Sequence, residues 1–282
     1  MNVLSLFDGI SCARLALERA GIEVDNYYSS EIDEYAIKVS RGNYPDIKQI
    51  GDITNVDATK LPQIDLLVGG SPCQGFSFAG KRLAFDDPRS KLFFEFIRIM
   101  KECKPKYFIL ENVKMKQEFL DVITEHMGVR PLLINSNLVS AQNRQRYYWT
   151  NIPNVGPPHD PEAEKQLLMD VLDVDVREIY WATEKMRDLY DGGRYLNPKY
   201  RSQGNRIHDI EAKSPTICAG SNGYSNGYVD TGVIRKLTPI ECERLQTIPD
   251  GYTDKGISDT QRYKALGNGW TVDVVAHILR QI

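Results

Sequence analysis

The 282-residue chain contains 41% hydrophobic and 26% charged residues, the composition of an ordinary soluble globular protein with room for one large domain and one smaller domain. Its net charge is only −3, so any nucleic-acid site must be a local basic patch. The N-terminus has no basic lead-in and no long apolar run, which argues against a signal peptide or a membrane span. Five widely spaced cysteines without a CxxC pair, and four histidines, predict reduced thiols and no structural zinc.

The chain begins with a predicted strand, a tight turn and a helix. Residues 3–7 form the apolar strand, residues 8–11 form the turn, and residues 12–20 repeat apolar side chains at helical spacing before Gly21. A glycine turn from a strand into a helix is expected to offer free backbone N–H groups to a ligand. The turn lacks the GxGxxG pattern, which disfavours a dinucleotide.

Acidic residues follow the next two predicted strands. The strand over residues 24–30 ends in Glu31, 23 residues beyond Asp8, where a carboxylate can accept hydrogen bonds from ribose hydroxyls. A solvated surface glutamate is an equally common alternative. Asp52, in the segment 51–53, closes a third short element and can take an adenine amino group. Three acidic positions at strand ends predict an adenosine-containing ligand.

A cysteine follows a strand that is expected to be buried on both faces. Residues 64–68 form this short apolar strand, and residues 69–77, GGSPCQGFS, come directly after it. The two glycines allow a turn or a close approach, and the proline fixes a torsion before the sulfur. Because open α/β sheets hold ligands beyond the carboxyl ends of their strands, Cys73 is predicted to be a nucleophile. The polar, glycine-rich neighbours disfavour the alternative, a small buried cysteine.

Two later segments add polar side chains near the same edge. A helix over residues 92–103 precedes a buried strand at 107–110, which delivers Glu111 to the edge that carries Cys73. A partly desolvated carboxylic acid beside a thiolate is a proton donor.

A third buried strand is predicted over residues 131–138, ahead of QNRQRYYW at 142–149. If residues 144–149 are extended, Arg144 and Arg146 point to one face and can grip an anion or a carbonyl oxygen together. An exposed basic strand is the alternative.

Residues 154–232 lose the alternation of strands and helices. Their prolines, paired glycines and a Gly/Ser/Asn/Tyr stretch at 219–228 predict a small, irregular second domain. A basic cluster interleaved with tyrosines is typical of a DNA-facing surface. The cluster consists of Lys199, Arg201, Arg206 and Lys213, with Tyr195 and Tyr200.

The motifs resemble, in type and in order, those of the cytosine-C5 DNA methyltransferase family. They are FDGIS, SSEID, GDI, GGSPCQGFS, ENV and QNRQRYYW, then RKLTPIECERLQTIPDGYT and ALGNGWTVDVV, and they lie within residues 1–153 and 233–282. Three details, RSKLFFEFIRIM, RYYWTNIP and Trp270 after GNG, are most similar to the animal de novo methyltransferases. Their long regulatory regions are not evident, so we expect a compact enzyme of bacterial or phage type, located in the cytoplasm of a bacterial or phage-infected host cell.

The resemblance implies an α/β fold with two domains. Residues 1–153 and 263–282 are expected to form an S-adenosylmethionine-dependent, Rossmann-like methyltransferase domain with a mostly parallel sheet and helices on both faces. Residues 154–262 are expected to form a small, irregular target-recognition domain.

The resemblance also implies a reaction. A methyl group passes from S-adenosylmethionine, which becomes S-adenosylhomocysteine, to C5 of a cytosine flipped out of double-stranded DNA. By resemblance Cys73 adds to C6 of the base, Glu111 stabilises protonation at N3, and Arg146, with Arg144 nearby, holds the cysteine and the cytosine carbonyl. No metal is required. Residues 74–91, with aromatic and basic side chains among glycines, are expected to form a mobile loop that closes over the flipped nucleotide; a solvated surface loop is the alternative.

Further binding residues are carried over by resemblance. The expected cofactor residues are Phe7, Asp8, Gly9, Ile10, Ser11, Glu31, Ile32, Asp52, Ile53, Gly70, Pro72, Asn268, Trp270 and Thr271. The expected DNA-binding residues are Gln74, Phe76, Ser77, Lys81, Arg82, Arg89, Lys199, Arg201, Arg206 and Thr216.

Two other functions remain open from the sequence. An RNA cytosine methyltransferase of the same fold is disfavoured because the chain has Ser71-Pro72-Cys73 and lacks the Cys-Phe-Thr element of the transfer-RNA branch. A catalytically silent, DNA-binding homologue is disfavoured because Cys73, Glu111, Arg144 and Arg146 are all present. The sequence does not determine the target site, the oligomeric state or whether a partner restriction endonuclease exists.

Overall fold

The computed structural model describes residues 1–71, 88–190, 192–197, 199 and 201–282. Their contacts form two compact units: unit 1 contains Met1–Asn135, Gln145–Pro157 and Asp273–Ile282, and unit 2 contains Ser136–Arg144 and Pro158–Val272. The sequence-based boundaries were placed after residues 153 and 262, and the function of each unit stays a prediction. None of the helices within the described ranges is long and apolar enough to cross a membrane.

Unit 1 is built on a sheet whose described part has seven strands in the order β3-β2-β1-β4-β5-β7-β6. The first five strands are parallel, and β7 runs antiparallel to both of its neighbours. This mostly parallel sheet with helical connections confirms the predicted α/β fold. The elements are β1 Asn2–Leu6, α1 Cys12–Arg19, β2 Asn26–Ser30, α2 Glu34–Asn43, β3 Lys48–Gln49, β4 Leu66–Gly70, α3 Pro88–Cys103, β5 Tyr107–Val113, α4 Gln117–Met127, β6 Leu132–Asn135 and β7 Gln145–Thr150.

The central strand β4 is completely buried from Leu66 to Val68, as its apolar sequence predicts. Its next residue, Gly69, lies where a side chain does not fit: an added Cβ would come within 2.9 Å of the Leu6 carbonyl oxygen and 3.0 Å of the Phe96 ring. The glycine therefore allows β4 to pack closely between β1 and α3. This close packing carries the strand directly to the segment that contains Cys73.

Several predicted elements have different bounds in the structure; β2, for example, begins at Asn26, and β5 continues to Val113. Residues 131–138 do not form a buried strand, because β6 covers only Leu132–Asn135 at the edge of the sheet, where Leu133 is 42% exposed. A short 3-10 turn follows it at Ser136–Leu138. The two glycines predicted to follow the strand at 64–68 are instead the last residues of β4.

Unit 2 contains short helices and a three-stranded sheet in the order β10-β9-β8 within its described residues. A buried ion pair joins strand β10 to helix α7: Arg235 Nη2 lies 2.8 Å from Glu241 Oε1. Glu241 also closes a capping box with Thr238 at the N-terminus of α7. The elements are α5 Pro161–Lys165, α6 Glu184–Arg187, β8 Ile207–His208, β9 Tyr228–Asp230, β10 Ile234–Lys236, α7 Pro239–Leu245 and α8 Asp259–Asn268; the last helix, α9 Val272–Leu279, has only its first residue in unit 2.

The helix predicted over 270–279 begins at Val272, and from Asp273 onward its residues belong to unit 1. Asp273 Oδ1 pairs with Arg19 Nη1 at 2.7 Å. The C-terminal residues are thereby attached to α1, the helix that follows the first turn.

Candidate active site

The ends of β4 and β5 bring the catalytic segment together. Gly70 and Glu111 are register partners in these parallel strands. Asn112 donates from Nδ2 to the carbonyl oxygen and to Oγ of Ser71, at 3.3 and 3.1 Å. Its Oδ1 accepts the N–H of Val113, which fixes the orientation of the amide. The sequence analysis did not single out Asn112, although a buried amide next to Glu111 at a strand end was a signal for such an anchor.

Several predicted site residues lie outside the described residues. They are Pro72, Cys73, Gln74, Phe76, Ser77, Lys81 and Arg82, together with the side chain of Arg89. The structure therefore bears on the predicted catalytic cysteine only through Ser71, two residues before it.

Glu111 and Arg146 form an ion pair, with 2.9 Å between Oε1 and Nε. The side chains are 11% and 13% exposed, and they are diagonal neighbours because Glu111 lies opposite Tyr148 on the antiparallel strand β7. Arg146 Nη1 also donates to the Gln145 carbonyl oxygen. In the described part of the chain, Oε2 of Glu111 and Nη2 of Arg146 have no hydrogen bond. Among the described residues, one acceptor and one donor at this nearly buried position therefore lack a partner.

Arg144 lies just before β7 and is buried. Its guanidinium donates to three carbonyl oxygens of unit 2: Nη1 to Ile217 at 3.1 Å, and Nη2 to Gly267 at 3.1 Å and Gly269 at 2.8 Å. Arg144 and Arg146 were predicted to grip an anion or a carbonyl oxygen together; in the structure Arg144 donates to these carbonyl oxygens of the protein, while Arg146 contacts Glu111 and the Gln145 carbonyl oxygen. Arg144 instead ties backbone segments together, and its catalytic assignment stays a prediction.

The turn after β1 does not offer the free N–H groups that its sequence predicted. The N–H of Asp8 donates to the Ser30 carbonyl oxygen at 3.2 Å, that of Gly9 to Glu31 Oε2 at 2.8 Å, and that of Ser11 to the Asp8 carbonyl oxygen at 3.1 Å. These three donors are occupied by the protein itself because the end of β2 lies against the turn. A ligand at this turn must be recognised by other groups.

Glu31 is the carboxylate most clearly prepared for a ligand. Its Oε1 accepts the N–H groups of Ile32 and Asp33 at 2.8 and 2.9 Å, and among the described residues Oε2 accepts that of Gly9 alone. Because a carboxylate oxygen has two acceptor sites, Oε2 retains capacity for a ligand hydroxyl. The three backbone donors hold the carboxylate in one orientation at the end of β2.

The predicted cofactor residues divide by exposure. Residues with exposed or half-exposed surface are Phe7, Gly9, Glu31, Ile32, Asp52, Gly70 and Asn268. Residues with buried side chains are Asp8, Ile10, Ser11, Ile53, Trp270 and Thr271. The burial of two of these side chains has a clear cause. Ile53 packs in the hydrophobic core of unit 1. The Thr271 hydroxyl accepts a hydrogen bond from Ser136 Oγ and donates one to Gln246 Oε1. Contact between these residues and a cofactor stays a prediction.

The predicted DNA-binding residues of unit 2 are also divided. Lys199 and Arg201 are exposed, Arg206 is half-exposed, and Thr216 Oγ1 donates to the Asn143 carbonyl oxygen. Lys213 does not belong to this surface cluster. Its Nζ donates to the carbonyl oxygens of Ser140 and Ala163, and burial lowers the pKa of this lysine.

The four described cysteines are free thiols. Cys12 and Cys242 are buried, and burial raises the pKa values of Cys242 and the half-buried Cys103. A raised pKa keeps a thiol protonated and weakly nucleophilic. In the residues that the structure describes, no group of three or more His, Cys, Asp or Glu side chains is arranged to hold a metal ion.

Known proteins similar to this chain share both its sequence pattern and its fold. A model of the C-5 cytosine-specific DNA methylase family matches residues 1–167 and 173–282. Type II methyltransferase M1.ScrFI of Lactococcus lactis subsp. cremoris is 33% identical, over all of this chain and 77% of the relative. Orphan methyltransferase M.SPRI of Bacillus phage SPR is 35% identical, over all of this chain and 97% of the relative. The crystal structure of S. pombe Dnmt2 superposes with a TM-score of 0.76 at 19% identity, covering 99% of this chain and 97% of that one, which bears on the fold alone.

Proposed function

The chain belongs to the C-5 cytosine-specific DNA methylase family and is an enzyme of that type, a DNA cytosine-C5 methyltransferase, and on this basis we propose how its own residues carry out the transfer. We assign Cys73 as the nucleophile, Glu111 and Arg146 as the groups that hold the target cytosine, and S-adenosylmethionine as the methyl donor. The observation that carries the proposal is the Glu111–Arg146 pair, because it retains one acceptor and one donor at the strand end paired with Gly70, three residues before Cys73.

Residues beyond β1 and β2 fit the adenosine part of S-adenosylmethionine. Glu31 Oε2 has capacity for a ribose hydroxyl, and Ile32, which is 74% exposed, offers apolar surface next to it. Phe7 is half-buried, and Asp52 keeps its short loop in place by accepting from the N–H and hydroxyl of Thr54. When bound, S-adenosylmethionine supplies an electrophilic methyl group. The protein's part is to hold and orient it.

The nucleophile is needed because C5 of cytosine reacts poorly until a group adds to C6. In the proposed step the Cys73 thiolate forms a bond to C6, ring electrons move onto N3, and N3 takes a proton that Glu111 brings as a carboxylic acid and takes back when the thiolate leaves. The free Oε2 of Glu111 accepts a hydrogen bond from that N3–H, and the free Nη2 of Arg146 donates to the cytosine carbonyl. After C5 has gained its methyl group, loss of the C5 proton restores the C5–C6 double bond and expels the thiolate.

The DNA must present the cytosine outside the stack, because sulfur cannot reach C6 inside a duplex. The exposed cations Lys199 and Arg201 are suited to phosphate contacts, which position the duplex without reading its sequence. Among the named relatives are Type II methyltransferases, the class found in restriction-modification, and an orphan enzyme from a phage. We accordingly place the reaction in the cytoplasm of a bacterial or phage-infected cell.

A fluorinated duplex tests the proposed mechanism. Bisulfite sequencing of plasmid DNA from expressing cells first maps the target cytosine, and a duplex with 5-fluorocytosine at that position is then incubated with protein and S-adenosylmethionine. Because fluorine cannot leave C5 as a cation, the enzyme should stay covalently attached and survive denaturation on a gel.

The controls for this experiment separate trapping from binding. Omitting S-adenosylmethionine, or replacing Cys73 with serine, should remove the band, and Glu111→Gln should slow its appearance. If the wild-type protein gave no denaturation-resistant band on a fluorinated duplex that contains its mapped site, the cysteine-addition mechanism would be wrong for this chain.

A further inference from the structure

The turn between β1 and α1 has an unusual backbone. Phe7, Gly9 and Ser11 have φ angles of 56°, 59° and 61°, so three of its five residues are in the left-handed region. Two of these three carry side chains, and for such residues this conformation persists only where the surroundings impose it. Something around the turn must therefore hold Phe7 and Ser11 in place.

The carboxylate of Asp8 lies between these two residues and is bonded on every side. Asp8 Oδ2 accepts from Ser11 Oγ at 2.6 Å and Ser29 Oγ at 2.8 Å, and Oδ1 accepts from Tyr27 OH at 2.7 Å. Ser5 is a further hydroxyl partner. We call these five side chains the Asp8 cluster. It joins β1, the turn and β2 in the interior, where Asp8 is only 8% exposed.

The Ser11 side chain bonds to Asp8 instead of capping helix α1. It occupies the N-cap position of α1, where a serine hydroxyl normally accepts a helix N–H, yet its side chain makes no capping bond. Its one hydroxyl proton is directed to Asp8, so the contact of 2.6 Å between Ser11 Oγ and Ser40 Oγ must be donated by Ser40. The cluster thus extends to α2.

Gly9, the residue after Asp8, links the Asp8 cluster to the carboxylate of Glu31, to which we have assigned the ligand. Gly9, adjacent to Asp8, donates its N–H to Glu31 Oε2 at 2.8 Å. Tyr27 and Ser29, the partners of Asp8 on β2, lie in the strand that ends at Glu31. Both sides of the Gly9–Glu31 bond are therefore attached to the same buried carboxylate.

We propose that Asp8 is a positioning residue for the methyl donor, whose carboxylate fixes the turn at residues 7–11 so that Gly9 holds Glu31 and Phe7 keeps its place. The proposal rests on the assignment of S-adenosylmethionine to this edge of the sheet, and it replaces direct contact by Asp8 with action through Glu31 and Phe7. A carboxylate suits this position because it only accepts hydrogen bonds and can serve several hydroxyl donors at once. An asparagine of the same shape presents an NH₂ group to at least one of them.

The first test measures the rate of hydrogen exchange at the Gly9 amide in the ligand-free protein. Asp8→Asn should speed hydrogen exchange of the Gly9 amide by about 10-fold or more, because the opening that breaks the Gly9–Glu31 bond becomes easier. Thr124→Val is the matched control, since it removes the hydroxyl that accepts from Trp149 Nε1 elsewhere in unit 1. This control should leave Gly9 exchange unchanged. Unchanged exchange in Asp8→Asn would overturn the proposal.

The second test measures S-adenosylmethionine affinity by calorimetry in a double-mutant cycle. We expect the dissociation constant to rise about 10-fold in Asp8→Asn, about 3-fold in Tyr27→Phe and about 10-fold in the double variant, because both changes act through one cluster. Additive losses, or weaker binding by Asp8→Asn with unchanged Gly9 exchange, would instead indicate direct contact with the ligand. If Asp8→Asn does not fold, Gly9 exchange and S-adenosylmethionine affinity are both measured on Tyr27→Phe alone.

The two tests also separate this proposal from the proposed function. If the wild-type protein did not bind S-adenosylmethionine at all, the assignment of the donor would fail, while exchange at Gly9 would still decide whether Asp8 fixes the turn. If the wild-type protein bound it and Asp8→Asn bound equally well, only the positioning role would be lost.

Discussion

Nε of Arg146 lies 2.9 Å from Oε1 of Glu111, and the pair joins β7 to β5 at a nearly buried position. The geometry depends on a guanidinium, because Nε serves Glu111 while Nη1 serves the Gln145 carbonyl and Nη2 is left for a ligand. A lysine at this position has one side-chain nitrogen and cannot make these separate contacts at the same time.

Arg146→Lys should therefore lower kcat strongly without changing the affinity for S-adenosylmethionine. Loss of one positioned donor to a developing charge typically reduces kcat about 100-fold to 1000-fold. Methylation of the mapped duplex at saturating donor gives kcat, and calorimetry gives the affinity. Arg98→Lys is the matched control, since Arg98 pairs with Glu95 and Glu102 on the same face of α3. A kcat within about 3-fold of the wild type in Arg146→Lys would remove Arg146 from the proposed site.

Cys73→Ser should abolish methyl transfer and leave S-adenosylmethionine binding nearly intact, because the sulfur adds to the base and not to the donor. Cys12→Ser is the control. Cys12 is the first residue of α1 and is buried. It should retain most of the activity in a tritiated-methyl transfer assay. Residual transfer above a few per cent in Cys73→Ser would contradict the nucleophile assignment.

Arg144→Ala should destabilise the protein by about 3 kcal/mol, because it leaves three carbonyl oxygens of unit 2 without their charged donor. Urea unfolding measures the loss. Arg201→Ala, an exposed arginine in the same unit, should change the free energy of unfolding by about 0.5 kcal/mol or less. Equal effects of the two substitutions would show that the three contacts do not stabilise the fold.

Glu31→Ala should weaken S-adenosylmethionine binding by about 1.5 to 3 kcal/mol, the range for charge-assisted hydrogen bonds to a ligand. Glu31→Gln should be similarly harmful, because its NH₂ group would oppose backbone N–H donors that now point at the carboxylate. Glu34→Ala, at the exposed start of α2, is the control. Calorimetry with unchanged affinity for both Glu31 variants would place the ribose elsewhere.

Asp8 should make stability depend on pH in a direction unusual for a carboxylate. Burial raises the pKa of Asp8, and hydrogen bonds from Ser11, Ser5, Tyr27 and Ser29 oppose this shift without cancelling it. The folded state therefore binds this proton more tightly than the unfolded state, so the group's contribution to stability is fully present below its ordinary pKa and is lost as pH rises through the raised one.

Asp8→Asn removes that titration. Other carboxylates contribute equally to the wild type and to Asp8→Asn. As the pH increases from 4 to 7, the free energy of unfolding of Asp8→Asn should therefore rise relative to that of the wild type. Urea denaturation at several pH values checks this. A difference that is constant with pH would mean that Asp8 titrates as it does in the unfolded chain.

Much of the fold around the candidate site could be predicted from the sequence because its signals are local. Apolar runs placed β1, β4 and β5 within a few residues, and the polar residue after each buried strand identified Glu31 and Glu111 as edge residues. The direction of a strand and the alternation of its side chains are properties of a short segment. The order of the motifs was enough to identify the family.

Only the tertiary structure decided which polar groups already have partners. Arg144 and Arg146 look equivalent in the sequence, yet one serves carbonyl oxygens more than 70 residues away and the other serves Glu111. Asp8 was expected to face a ligand, but hydroxyls from β1 and β2 enclose it. Such pairings depend on strand register and on segments distant in the chain, and a buried donor or acceptor must be satisfied by whatever the fold brings near it. Residue type alone does not contain that information.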